Sequence, residues 1–376
     1  MEFKDPDIVR IEVVPLIGIS VKDTFFDSLR EDYEEFDSWF NRVAREGRKA
    51  WVVNTGTGCL DTLCIYKVEF NGDAINDIGE TLPGRFLKLC TLKVTKNGMR
   101  FGERLLYVAF LFALSNGLTN VYAQVRKVGH ERVKALLKRF GFVERGAYRN
   151  DFTYVKDMTP GLTPLISVAP KDNFEYFRHH YPYHLDGGAI RKFFVSLDVE
   201  THEHLFPDAQ VQNLPLEAHS QGLEGEVNAI RKAIVQNDVI DGLRPSDLLI
   251  FYRQATDSSV RGFVDHLGVV ENVKLYPRYE DMEEEVRNCL PYSRAEILRM
   301  ESQERGLQVV VFWLVQQIRP GIKRMDFSAG GYDTHHRRVR RIPGPIYRDL
   351  IKPALSNFGV VQGEEFSPNG INGNFS

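Results

Sequence analysis

The stretch Phe86–Leu106, FLKLCTLKVTKNGMRFGERLL, decides the fold. Phe86–Val94 is an apolar run of strand character, Thr95-Lys96-Asn97-Gly98 is polar and contains glycine, and helical spacing starts near Phe101. The pattern predicts a buried strand, a turn and a helix. The first N–H groups of a helix lack intrahelical partners, and the helix dipole adds partial positive charge there, so such a junction can hold an anion. Gly102 has no Cβ and would let a phosphate approach the backbone, while Arg100 and Arg104 add positive charge.

Upstream, Val9–Leu16 reads as a first strand, and Ser28–Ala44 as one helix with Leu29, Tyr33, Phe36, Phe40 and Val43 on one face. Trp51–Asn54 and Leu63–Phe70 read as strands. Downstream, the central helix ends at Asn116-Gly117. Val121–Val125 is a strand, Glu131–Phe140 a helix stopped by Gly141, and Tyr148–Val155 a closing strand. This order predicts a mixed, mostly antiparallel sheet flanked by helices, an α+β arrangement.

Thr159–Pro164 reads as a linker, which divides the chain into residues 1–159 and 165–362, with an Asn/Gly/Ser-rich flexible tail over 363–376. In the second part, Lys192–Leu197, Asp247–Arg253, Gly262–Val273 and Val309–Leu314 are strand-like. Glu224–Val235, Met282–Asn288 and Ser293–Gln303 are helix-like, the last opening on a capping box of Ser293 and Glu296. A compact β-barrel with helical inserts is the expected form.

The chain has 376 residues, 43% of them hydrophobic, and a net charge of −3, so it is not a polycation and any nucleic-acid surface must be local. Cys59, Cys64, Cys90 and Cys289 show neither redox nor metal-ligand spacing. Buried thiols are expected of them, and no metal site. The N-terminal MEFKDPDIVR lacks a signal pattern, and no apolar run approaches the roughly 20 residues that span a bilayer. A cytoplasmic location is the expectation.

Residues 9–156 resemble the GNAT superfamily of acyl-CoA-dependent N-acetyltransferases. The resemblance rests on Leu92–Val94 followed by KNGMRFGERLL, on the helix ending KRFGF at Lys138–Phe142, and on the element order. It implies that acetyl-CoA sets its diphosphate on Asn97, Gly98, Arg100, Phe101, Gly102 and Glu103. It also implies that the pantetheine pairs with Leu92, Lys93 and Val94 where that strand parts from Val121–Val125. The chain departs from the family pattern in having Arg100 at its first glycine, Asn97 at its Arg/Gln, His130 at its Asn and Leu137 at the Tyr that often serves as general acid. His130 is the candidate base, because an imidazole titrates near neutrality. Tyr148 is a second candidate, with Tyr122 and Tyr154 as alternatives, and Glu69 or Glu80 could line the acceptor site.

The second part resembles the PUA-like group that includes ASCH and EVE domains, carried by RKFFVSLD (191–198), NAIRKAIV (228–235) and PSDLLIFYRQATDSSVRGFVDHLGVVENVK (245–274). It implies a cleft for RNA or modified bases, at which Lys192, Lys232, Tyr252 and Arg253 are placed. A basic run, His335, His336, Arg337, Arg338, Arg340 and Arg341, is a local phosphate footprint. The joint expectation is an acetyl-CoA-dependent N-acetyltransferase acting on an amine of RNA, a tRNA or modified base, or on an RNA-associated substrate. The alternative is a degenerate acetyltransferase fold that serves as an RNA or modified-base reader, DNA bases included.

Overall fold

The computed structural model describes residues 10–54, 60–71, 73–95, 100–159, 165–166, 169–206, 225–226, 229–236, 242–255, 262–301, 306–332, 339–355, 360–361 and 364–365. The chain forms two compact units, one of Asp7–Thr159 with Gln210–Ile230, the other of Met1–Pro6, Pro160–Ala209 and Arg231–Ser376. No helix of the described residues is long and apolar enough to cross a membrane.

The first unit runs β1 (Arg10–Pro15), α1 (Asp27–Asp32), α2 (Phe36–Arg45), β2 (Lys49–Asn54), β3 (Leu60–Phe70), β4 (Arg85–Val94), α3 (Phe101–Ser115), β5 (Asn120–Arg126), α4 (Glu131–Arg139), β6 (Val143–Tyr148) and β7 (Asp151–Asp157). The sheet order is β1-β2-β3-β4-β5-β7-β6, and Gly225–Glu226 adds a short antiparallel strand at the outer edge of β1. Every neighbouring pair is antiparallel except β4 and β5. That exception follows from α3, since a helical crossover returns the chain in the same direction. α3 is buried on nearly every side, Phe101, Leu105, Leu106, Val108, Ala109, Phe110 and Ala113 included. α2 lays Phe36, Phe40, Val43 and Ala44 on Ala50, Val52, Leu63 and Ile65 of β2 and β3.

Two expectations change here. The helix read over 28–44 is broken at Tyr33, which is extended (φ −134°, ψ 102°). Arg126 donates to the Asp32 carbonyl and lies over the Tyr33 ring, a partnership offered by β5 that periodicity does not contain. The strand read over 148–155 is β7 from Asp151 onward, while Tyr148 ends a separate strand, β6, with the turn between them at Arg149 (φ 53°).

The second unit contains β8 (Leu165–Ile166), α5 (Pro170–His180), β9 (His184–Leu185), β10 (Lys192–Leu197) and α6 (Val199–Leu205). With β11 assigned to Gly225–Glu226, it continues β12 (Arg231–Gln236), β13 (Leu248–Arg253), β14 (Phe263–Tyr276), α7 (Glu284–Arg287), α8 (Arg294–Glu301), β15 (Leu307–Lys323), α9 (Arg324–Ala329) and β16 (Arg340–Arg341). Its six-stranded sheet has the order β12-β15-β14-β13-β10-β16, with β10 and β13 parallel. The barrel expected from sequence is not formed by the described residues, because β12 and β16 are two separate edges that do not pair with each other. The helix read over 224–235 is in its last five residues a strand. Arg231–Gln236 pairs residue for residue with β15, and that ladder overrides a weak helical preference. Glu364–Glu365, in the segment read as a flexible tail, pairs in parallel with β8; residues 366–376 lie outside the described residues. Cys64, Cys90 and Cys289 are free thiols, buried for Cys64 and Cys289 and half-buried for Cys90, and Cys59 lies outside the described residues.

Candidate active site at a strand divergence

β4 and β5 pair only from Phe86 opposite Asn120 to Leu89 opposite Ala123. Beyond that point β4 continues to Val94 with partners on β3 alone, Cys64 opposite Leu92, Leu63 opposite Lys93 and Thr62 opposite Val94. The cause is local. On the β3 side Leu89 faces Tyr66 and Thr91 faces Ile65, so Cys90 is a bulged residue. A bulge bends its strand and raises its twist, which turns β4 away from β5. The result is a stretch of β4 edge, Leu92 to Val94, with no strand on its β5 side among the described residues, followed by the start of α3.

That start is tighter than the sequence suggested. Arg100 holds a left-handed backbone (φ 54°, ψ 32°) just ahead of α3. Its guanidinium folds back on Glu103, with Nε 3.1 Å from Oε2 and Nη2 2.5 Å from Oε1. Glu103 and Arg104 are both buried. Gly102 has a packing role: a Cβ there would stand 2.9 Å from Cδ2 of Leu136 on α4. Asn97 and Gly98 lie outside the described residues.

α1 is tied to both diverging strands. Lys93 of β4 donates to Ser28 Oγ at 2.6 Å and lies 5.1 Å over the Phe25 ring. Burial lowers the Lys93 pKa. On the β5 side Arg126 reaches the Asp32 carbonyl, and Nε2 of His130 lies 3.0 Å from Oδ2 of Asp32. His130 stands ahead of α4, also with a left-handed backbone (φ 59°). A carboxylate on one imidazole nitrogen fixes the tautomer and the ring's orientation and leaves the other nitrogen as the one that can accept a proton.

Beside this pair lies a group that the sequence reading missed. Tyr33 Oη is 3.5 Å from Asp151 Oδ1, under the Arg126 guanidinium. Burial, with Asp151 next, pushes the Tyr33 pKa up to about 12, and burial raises that of Asp151 against the pull of Arg126. In the sequence Tyr33 falls on the apolar face of one helix, so its hydroxyl carries no functional signal there.

The remaining candidates divide. Tyr122 donates to Glu69 Oε2 at 2.8 Å, and Lys67 Nζ lies 2.9 Å from Glu69 Oε1. Burial opposes ionisation of Glu69, but hydrogen bonds from Lys67 and Tyr122 and the charge of Lys88 outweigh it and lower its pKa. Glu80 is engaged by Asn76 at 2.8 Å within the loop that precedes β4. Tyr154 donates to Glu144 at 3.0 Å. Tyr148 sits half-buried at the end of β6 with the Arg149 guanidinium 5.4 Å over its ring, and among the described residues no hydrogen bond joins it to His130 or Asp32. Leu137 is fully buried, so that position presents nothing to a cleft. Burial pushes the Cys90 thiol up, which leaves it protonated and a poor nucleophile.

In the second unit the nucleic-acid candidates have partners within the unit, Lys232 and Tyr252 buried and Lys192 and Arg253 half-buried. Lys232 is 6% exposed, donates to the Leu205 carbonyl and lies over the Phe206 ring. Tyr252 is buried with its ring 5.3 Å from that of Phe194. Lys192 bonds the Gly187 carbonyl at 2.6 Å and Asp186 at 3.1 Å, and Arg253 pairs with Glu203 at 2.7 Å. His335, His336, Arg337 and Arg338 lie outside the described residues.

No protein-family model and no curated protein matches this chain. Solved GNAT acetyltransferases match about two fifths of it. A GNAT-family acetyltransferase from Listeria monocytogenes is 16% identical, covers 39% of this chain and 94% of its own, and has a TM-score of 0.29. An aminoglycoside 6'-acetyltransferase type Ii is 17% identical and covers 40% and 99%, with a TM-score of 0.30. A mutant of the AtaT toxin, solved with the C-terminus of the antitoxin AtaR and acetyl-CoA, is 10% identical and covers 40% and 92%, with a TM-score of 0.27.

Proposed function

We propose that the first unit is an acyl-CoA-dependent N-acyltransferase that takes acetyl-CoA. The observation that carries this is the parallel pair β4–β5, opened beyond Leu89 by the bulge at Cys90 and followed by α3. The bare edge at Leu92, Lys93 and Val94 offers backbone groups to an extended chain, which adds to a sheet as a further strand does. The first amides of α3, at Phe101 and Gly102, suit the diphosphate, whereas that of Glu103 already donates to the Arg100 carbonyl at 3.1 Å. Glu103 works against it, since a buried carboxylate already occupies that first turn, and Arg100 is spent on neutralising it. Affinity for the cofactor is therefore expected to be modest.

Acetyl-CoA supplies, when bound, an acyl group activated as a thioester. The chain's part is to take a proton from the amine and to hold the carbonyl. His130, oriented by Asp32, is the base in this reading, and a backbone N–H of the free β4 edge polarises the carbonyl. Cys90 needs no role, so transfer is direct. The acceptor is an amine. A nucleic-acid carrier for it is left out of the proposal, since Lys232 and Tyr252 are buried and Lys192 and Arg253 pair with Asp186 and Glu203.

A second reading is favoured by Leu137 and Arg100: an acetyltransferase fold kept for binding alone. Titration calorimetry with acetyl-CoA, followed by thiol release with a panel of small amines, separates the two. Micromolar binding with turnover is expected, and His130→Ala should lower kcat at least tenfold with little change in acetyl-CoA affinity. Binding without turnover supports the second reading. No binding at high micromolar ligand removes both the enzyme and the cofactor site.

A further inference from the structure

The second unit contains a polar triplet that nothing above uses. His202 of α6, with Asp265 and His266 of β14, is 0%, 3% and 0% exposed respectively. His202 Nε2 lies 2.9 Å from Asp265 Oδ1, and His266 Nδ1 lies 2.8 Å from the same oxygen. One ligand-type atom from each residue falls within 4.8 Å of the other two. Asp265 Oδ2 and His202 Nδ1 are fully buried without a hydrogen-bond partner. Buried polar atoms of that kind are few in native proteins, and each asks what satisfies it.

The backbone is shaped to make this triplet. Tyr252 faces Val264 and Phe251 faces His266 on the β13 side, while Ile322 faces Val264 and Gln317 faces His266 on the β15 side. Asp265 is skipped by both ladders and is a bulge. Consecutive residues of a regular strand point to opposite faces, whereas a bulge can bring both side chains to one side. α6 delivers the third member. Its start is fixed by Asp198, which accepts from the Thr201 amide at 2.8 Å and its hydroxyl at 3.0 Å. An apolar wall encloses the group: the Phe206 ring stacks on His266 at 4.0 Å and 8°, and Phe251 packs on Phe206 at 4.9 Å.

We propose that His202, Asp265 and His266 bind one divalent transition-metal ion, zinc, which clips α6 to the β14 bulge. Two imidazoles and a carboxylate are a donor set for zinc. Tetrahedral ligation at roughly 2.0–2.1 Å separates donor atoms by about 3.3 Å, a spacing that lies between the 2.8 and 2.9 Å approaches to Asp265 and the 4.8 Å span of the triplet. Three protein ligands leave the fourth tetrahedral position to a water, and the burial of all three residues gives that position no path to a substrate. The absence of cysteine ligands explains why sequence spacing gave no metal signal: the three ligands come from positions 202, 265 and 266, brought together by a bulge.

The test is elemental analysis of the untagged full chain. About one equivalent of zinc per chain is expected, falling to background in Asp265→Asn, a substitution that keeps the shape, and in the double variant H202A/H266A. Chelation should lower the melting temperature of the wild-type chain by roughly 5–10 °C, restored by added zinc. Cobalt(II) added to the stripped wild-type chain should give the visible bands of four-coordinate nitrogen/oxygen ligation, a readout that needs no variant. One equivalent of iron in place of zinc sustains the site and overturns the choice of ion. Wild-type chain that holds no metal and takes up neither zinc nor cobalt, or metal that persists in the double variant, overturns the proposal.

Discussion

Arg100 and Gly102 each carry a contact inside the fold that the sequence does not reveal. Both occupy positions where the chain must come close to something, and Arg100 adopts the left-handed backbone for which a glycine would be the ordinary choice. The neighbour at Gly102, however, is Leu136, so enlarging that glycine reports on packing between α3 and α4 before it reports on a phosphate. Glu69 is the clearer residue-scale probe. Its folded pKa lies below the ordinary carboxylate value, so its contribution to stability is complete above about pH 4.3 and is lost as pH falls through the lower folded value. Tyr122→Phe removes a hydrogen bond to the charged group and should destabilise by roughly 1 kcal/mol at pH 7. In urea melts across pH, the difference between the two proteins should shrink once Glu69 is protonated. A difference independent of pH would mean that the hydroxyl serves packing rather than charge.

At the scale of elements, strands and helices followed periodicity wherever one face is plainly apolar. α3 runs from Phe101 to Ser115 with Asn116 and Gly117 (φ 61°) at its end, as the sequence implied. The failures are places where a distant partner settles the backbone: Arg126 ends α1 at Asp32, and β15 draws residues 231–236 into a strand. β14 depends on a close approach that hydropathy does not reveal. A Cβ at Gly268 would stand 2.7 Å from Cδ2 of Phe312, 3.2 Å from the Trp313 carbonyl oxygen and 3.3 Å from Cε2 of Phe251. Two ring edges and a backbone atom cannot all yield, so Gly268→Ala should cost about 2–3 kcal/mol by urea denaturation. A loss below 0.5 kcal/mol would show that the sheet opens there at little expense.

At the scale of the whole molecule, the path of the chain departs from a simple succession of domains. After α6 of the second unit it returns to the first, where Gly225–Glu226 pairs with Arg10 and Ile11 of β1. That short strand covers a sheet edge, and bare edges invite pairing with other chains. Residues 1–159 produced alone should retain the far-ultraviolet spectrum of a mixed fold and associate more strongly than the full chain as concentration rises. Size-exclusion chromatography over a hundredfold range checks this, and a monomer at every concentration would show that the edge needs no cover.

The sequence by itself determined the central strand and the helix that follows it, and the sheet of the first half. Those features rest on local pattern: apolar periodicity, glycine at turns, and amides exposed where a helix begins. Only the tertiary structure decided that β4 parts from β5 at Cys90, that His130 meets Asp32, that Lys232 is buried, and that His202 stands beside Asp265 and His266. Each of these is a meeting of residues far apart in the chain or a one-residue shift of register. Neither leaves a trace in spacing, because a bulge changes which way a side chain points without changing which side chain it is.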